Sequence, residues 1–199
     1  MIAYIEGKLV QKDPTYVIVD VQGVGYMIRV SLHTYSVLKD LDKAKVYTFL
    51  HIKEDAHTLF GFADELEKEM FLHLTSISGI GPGTALVVLS SLNSMELKNA
   101  IASEDVRAIQ AVKGIGVKTA QRVILELKDK MRKDLMVSTT DSKQNFSLPH
   151  NTIRSEALSA LVTLGFARNV AEKNVDMILK NNTNPVTLEE LIKQALKMS

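Results

Sequence analysis

Thirty-five residues after Gly79-Ile80-Gly81 the chain repeats itself as Gly114-Ile115-Gly116, and both copies run through a Thr-Ala pair, Thr84-Ala85 and Thr119-Ala120, into an apolar, helix-forming stretch. At that offset Ser78 lies over Lys113, Gly83 over Lys118 and Leu89 over Ile124. Each copy predicts a helix, a tight glycine turn and a second helix. Two glycines around one isoleucine allow positive φ without a Cβ clash, so the chain can reverse while Ile80 or Ile115 plugs the angle between the helices.

Each turn leads into a helix N-terminus whose first backbone N–H groups have no intrahelical partner. They open beside glycines with no side chain, which makes the turn an anion site. Thr84 and Thr119 can add a hydroxyl donor, and Lys118 and Arg122 can add charge beside the second turn. A lone Gly-x-Gly between helices is more often a packing turn than a binding site. Duplication changes that, because two such turns can engage two phosphates on adjacent strands across a minor groove, a grip that ignores base sequence. Nucleotide-binding readings fail: no strand runs directly into either turn as a dinucleotide fingerprint requires, and no Gly-x-x-x-x-Gly-Lys-Ser/Thr occurs.

The chain has 199 residues, 46% of them hydrophobic, enough to bury real cores. Its formal net charge is +1, and basic and acidic residues stay within one of each other over 1–64, 65–136 and 137–199, so composition alone does not point to nucleic acid. No cysteine is present, which excludes disulfides and thiolate metal sites and fits a reducing cytoplasm. Glu6 and Lys8 interrupt the first apolar residues and no apolar run reaches membrane-spanning length, so a soluble, cytoplasmic protein without membrane contact is expected.

Residues 1–64 read as strands, with Tyr16–Val21, Tyr26–Val30, Val46–Ile52 and Thr58–Phe62 the clearest, a turn or bulge at Gln22-Gly23-Val24-Gly25, and one short helix over Thr34–Leu41. Five strands in so short a stretch predict a small closed barrel of the oligonucleotide/oligosaccharide-binding (OB) type. Helical periodicity begins at Asp64, and the hairpin region is expected over 65–135. Residues 136–150 turn polar and read as a flexible linker. Over 151–199 three amphipathic stretches, Ser155–Leu164, Ala167–Lys180 and Thr187–Met198, predict a three-helix bundle, with a glycine cap at Gly165 and a capping box from Thr187 to Glu190. Its Leu161–Phe166 run is similar to the first turn of ubiquitin-associated modules. The fold class is therefore multi-domain β plus α.

Paired hairpins, a barrel and a tethered helical tail, together with Met1-Ile2-Ala3-Tyr4-Ile5-Glu6-Gly7, Gly23-Val24-Gly25-Tyr26 and Lys53–Phe62, resemble the RuvA family of bacterial Holliday-junction-binding proteins over nearly the whole chain. The resemblance implies a homotetramer in recombination and repair that holds a four-way junction open, takes no cofactor and recruits the hexameric ATPase RuvB through its C-terminal domain, with the resolvase RuvC as a further partner. It implies DNA contacts at Gly79, Ile80, Gly81, Gly83, Thr84, Gly114, Ile115, Gly116, Lys118, Thr119 and Arg122. Glu54 and Asp55, by themselves a solvated loop between two strands, become on this resemblance an acidic pin whose repulsion of phosphates restricts which structures bind.

The chain departs from the commoner family pattern at Gly83, where many relatives have lysine, and at Val117-Lys118, where two lysines are usual. A shallower salt dependence is expected. No catalytic constellation is visible. Glu54 and Asp55 are adjacent and diverge, which argues against a nuclease metal pair, and His33, His51, His57, His73 and His150 lack ligand spacing; His51 or His73 reads as half-buried packing. The basic run Lys128–Lys133 reads as a solvated helix end. The rival readings are a general hairpin-type repair scaffold and a metal-dependent structure-specific nuclease.

Overall fold

The computed structural model describes residues 1–141, 149–181 and 187–198. They form two compact units, Met1–Val137 and Ser138–Ser199.

In the first unit, strands β1 (Tyr4–Asp13), β2 (Tyr16–Val21), β3 (Val24–Val30), β4 (Lys43–Ile52) and β5 (His57–Phe62) close into a barrel in the order β1-β2-β3-β5-β4. All pairs are antiparallel except β3 with β5. This is the OB arrangement that strand count and spacing imply. The turn between β2 and β3 needs only Gln22 and Gly23, both at positive φ (52° and 90°), a two-residue hairpin whose twist matches its strands. Helix α1 (Leu32–Leu38) starts two residues before the hydrophobic pattern suggests, because the buried Ser31 side chain caps it by accepting from the Thr34 N–H.

The barrel interior is filled by β-branched and branched side chains, among them Val17, Val19, Ile28 and Val46, all fully buried. Gly61 faces the same interior. A Cβ there would lie 2.4 Å from Ile28 Cγ2 and 2.7 Å from Val46 Cγ1, so the volume is already taken. Its neighbours Phe60 and Phe62 therefore point the other way and meet Phe71 at ring separations of 5.3 and 4.9 Å.

Phe71 belongs to α2 (Glu65–Ser76), the first of five helices continued by α3 (Pro82–Ser91), α4 (Ser94–Ala102), α5 (Val106–Gln110) and α6 (Val117–Asp141). Their core, with Met70, Leu74, Leu97, Ile101 and Met131 fully buried, takes in Phe60 and Phe62. Phe60 and Phe62 on the last strand thus join the helical core, while the barrel interior keeps a core of its own. Helix α6 runs to Asp141, six residues into the stretch read as linker from Met136, and the next helix begins at Pro149. Its amphipathic pattern fades before its backbone does. The rest of that stretch, 142–148, lies outside the described residues.

The second unit holds α7 (Pro149–Thr163), α8 (Arg168–Asn181) and α9 (Leu188–Leu196) around Leu161, Val175, Ile178 and Leu191. Gly165 (φ 98°) ends α7, with Phe166 N–H donating to Leu161 O and Gly165 N–H to Val162 O, both at 3.0 Å. That is a Schellman cap. Thr187 and Glu190 form the reciprocal capping box at α9. No helix among the described residues is long and apolar enough to cross a membrane.

Candidate nucleic-acid interface

The two glycine turns are built alike, bond for bond. Ile80 N–H donates to Ile77 O at 3.0 Å and Ile115 N–H to Val112 O at 3.1 Å; one turn later Ala85 N–H donates to Gly81 O and Ala120 N–H to Gly116 O, both at 2.9 Å. Ile80 and Ile115 are 4% and 6% exposed, so their side chains are the plugs between helices. With their amides committed inside the turns, these two shape the site and offer no donor to an outside anion.

Positive φ falls only on the first glycine of each pair, Gly79 at 97° and Gly114 at 92°. This narrows the expectation that both glycines serve the backbone. Gly81 is the N-cap of α3 at φ −85°, ψ 170°, a conformation open to any residue. What Gly81, Gly83 and Gly116 provide is room: a Cβ at any of them would meet nothing within 4 Å. Beyond each turn the N–H groups of Gly83 and Thr84, and of Val117, Lys118 and Thr119, precede the first intrahelical donor. Pro82 at the first helical position of α3 removes one donor that its counterpart Val117 keeps.

Charge is unequal between the copies. Lys113, Lys118 and Arg122 are exposed at the second turn, whereas Ser78 to Leu92 holds no charged residue. Lys113, which overlies Ser78 in the repeat, is a cation absent from the contacts expected from the motif, although its position directly before Gly114 could have flagged it. Arg122 does not stay with its own turn: its Nη1 donates to Ser78 O at 3.1 Å. The basic run farther along α6 is also partly committed. Arg132 donates to Ala102 O at 3.0 Å and to Glu104 at 2.8 Å, and Lys128 lies 3.8 Å from the same carboxylate. These two residues fasten the α4–α5 connection, where Glu104 sits at φ 60°.

Glu54 and Asp55 stand exposed at the tip of the β4–β5 hairpin, in a loop closed by Lys53 N–H to Ala56 O at 2.9 Å and by the Ile52–His57 pair. Among the described residues no group of three or more His, Asp or Glu is placed to hold a metal. His51 packs between Phe49 and Phe60, and His73 Nε2 lies 3.2 Å from Glu69.

Against known families, residues 1–61 match the RuvA N terminal domain, 71–129 a SAM-like helix-hairpin-helix tandem and 152–198 the RuvA C-terminal domain. The chain is 77% identical over 199 residues, the full length of both chains, to the Holliday junction branch migration complex subunit RuvA of Cytophaga hutchinsonii. The chain belongs to the RuvA family. Proteins of the same name from Christiangramia forsetii and Flavobacterium psychrophilum are 51% and 50% identical over 197 residues, 99% of each chain. In RuvA-family terms the tandem match spans both glycine turns, and the barrel that carries Glu54 and Asp55 is the N-terminal module.

Proposed function

We propose that this protein is the Holliday-junction-binding subunit of a branch-migration complex in homologous recombination and DNA repair. The observation that carries it is the pair of equivalent glycine turns within one unit, each presenting unpartnered amides at a helix N-terminus beside open glycines. Two such grips suit backbone phosphates across a minor groove and read no bases. The contact set we assign is the amides of Gly83, Thr84, Lys118 and Thr119, approached over Gly79, Gly81, Gly114 and Gly116, with Lys118 supplying charge. Full-length similarity to proteins named as branch migration complex subunits supports the junction as the target.

The finer reading comes from the family. The protein works as a homotetramer in the cytoplasm, with Glu54 and Asp55 as the pin facing the crossover. The C-terminal bundle takes the RuvB hexamer, whose ATP hydrolysis drives migration, and RuvC acts on the held junction. The subunit itself performs no chemistry. A gel shift with a four-way junction competed by linear duplex tests the core of this reading: the junction should be retained when duplex is in excess, and equal competition would sink it. A chain ending at Asp141 should keep junction binding and lose stimulation of RuvB. Full stimulation by that shortened chain would move the partner surface elsewhere.

A further inference from the structure

Arg122 lies in the second turn of α6, the helix launched by the second glycine turn, yet its side chain serves the first. The carbonyl that accepts from its Nη1 belongs to Ser78, directly before Gly79, the positive-φ glycine of the first turn. Forty-four residues separate the partners. The same guanidinium keeps Nε 4.0 Å from Glu126, one helical turn on, which aligns the side chain along α6. Half of it, 51%, remains exposed.

The link is one-way. At the repeat offset the residue matching Arg122 is Val87, which can donate nothing. The first hairpin is uncharged from Ser78 to Leu92, and the cation bonded at the head of its turn comes from the second hairpin. A grip on two phosphates works as a unit only when the two turns are held at a fixed separation before DNA arrives, since ordering them on binding would cost affinity. The shared hydrophobic core sets that separation coarsely. A charge-assisted bond from one hairpin's helix to the other's turn backbone sets it locally.

We propose that Arg122 is a positioning residue that locks the first glycine turn to the second hairpin and gives the first turn the positive charge its own sequence lacks. This rests on the junction-binding reading for its consequence, but not for its geometry. The test therefore has one arm without DNA. Hydrogen exchange of the free, full-length protein should be faster at residues 78–81 in Arg122→Gln and in Arg122→Lys, whose single ammonium lacks the guanidinium fork, and unchanged there in Lys118→Ala. Unchanged exchange in both Arg122 variants overturns the inference whatever DNA binding does.

The second arm measures junction affinity in a double-mutant cycle with Gly81→Val, which obstructs the first turn alone. Alone, Arg122→Gln should weaken binding about tenfold, the scale of one charge-assisted bond, and Arg122→Lys should lose most of the same. On the Gly81→Val background the further loss should shrink to below about twofold, while Lys118→Ala keeps its full effect on either background. A full tenfold loss from Arg122→Gln on that background would make Arg122 an ordinary contact of the second turn. Should no variant or wild type prefer junction over duplex while the exchange pattern holds, the functional reading fails and the structural link stands.

Discussion

Replacing Glu67 by alanine should weaken the barrel and hairpin unit severely, and the structure sets the size of the loss. Glu67 sits on α2 at 1% exposure, and its carboxyl group accepts three hydrogen bonds. The Ser31 hydroxyl donates to Oε1, the Thr34 hydroxyl to Oε2, and the Ala63 N–H to Oε2 at 3.2 Å. Ser31 and Thr34 are themselves fully buried, so water cannot substitute. With alanine at 67, the Ala63 N–H keeps Thr34 Oγ1 as acceptor at 3.0 Å, but both hydroxyl hydrogens are orphaned. Each buried orphan costs about 1–3 kcal/mol, roughly 2–6 kcal/mol for the two, and the cavity adds to that.

Glutamine separates hydrogen bonding from volume. Its carboxamide oxygen can accept from Thr34 and Ala63 while its NH2 donates one hydrogen to Ser31 Oγ; the Ser31 hydrogen and the second amide hydrogen are left without acceptors, so glutamine fills the cavity and keeps part of the network but not all of it. The assay is urea unfolding followed by tyrosine fluorescence. The chain has no tryptophan, and Tyr4, Tyr16, Tyr26, Tyr35 and Tyr47 all precede residue 64, so the signal comes from this unit alone. An alanine variant within about 1 kcal/mol of wild type, inside the ordinary scatter of point substitutions, would refute the keystone role. So would a glutamine variant as weak as the alanine one.

Gly61→Ala should destabilise the same unit by about 1–3 kcal/mol through overpacking against Ile28 and Val46; a neutral result in the same urea titration would mean the barrel can expand. Gly79→Ala should lower stability by about 1 kcal/mol through its positive φ, whereas Gly81→Val should cost stability only through the loss of a favoured N-cap residue, about 1 kcal/mol or less, and lose junction affinity. Thermal melts beside gel shifts distinguish the two, and a folded Gly81→Val protein that keeps full junction affinity would contradict the assignment of room for a phosphate to that glycine. Neutralising Glu54 and Asp55 to Gln and Asn should leave junction binding equal or tighter, most visibly at low salt, and reduce discrimination against duplex; a marked loss of affinity would mean the carboxylates attract. In the C-terminal bundle Arg154 holds Asp176 below the usual carboxylate range through hydrogen bonds of 2.7 and 3.0 Å. The folded pKa being depressed, the stabilisation is present above the unfolded value of 3.8 and is lost as pH falls through the lower folded one. With both side chains partly exposed (38% and 44%) it should stay below about 1 kcal/mol, and a stability gap between wild type and Asp176→Asn that persists at the most acid pH would refute the pairing.

Features that depend on neighbours in sequence are legible in the sequence itself. The β2 and β3 strands, the Thr187 capping box, the Gly165 cap and both glycine turns are each specified within a few residues, where propensity and turn chemistry act. The division of labour inside each turn is less so. A Gly-x-Gly pair announces that glycine is wanted but not whether for φ or for space, and the two glycines differ in this. The extent of α6 is hidden because a helix can continue past the point where its apolar period stops.

The contacts concealed most deeply are those that join distant segments through polar groups. Three residues after the N-cap Asp64, Glu67 reads in sequence as a capping-box residue turned back toward its own helix start, and nothing there points to a distant partner. Its role is set by Ser31 and Thr34, more than thirty residues earlier. Arg122 hides behind its own motif in the same way: a cation one turn beyond a glycine turn reads as that turn's partner, and only the tertiary fold brings Ser78 O within reach. Both residues tie segments that the hydrophobic core already brings near each other, and a core packed from interchangeable apolar side chains fixes distance better than orientation. Directional bonds to buried hydroxyls and to a turn carbonyl supply the orientation. Glu67 sets how α2 meets Ser31 and Thr34 at the start of α1, and Arg122 ties α6 to the backbone ahead of the first glycine turn.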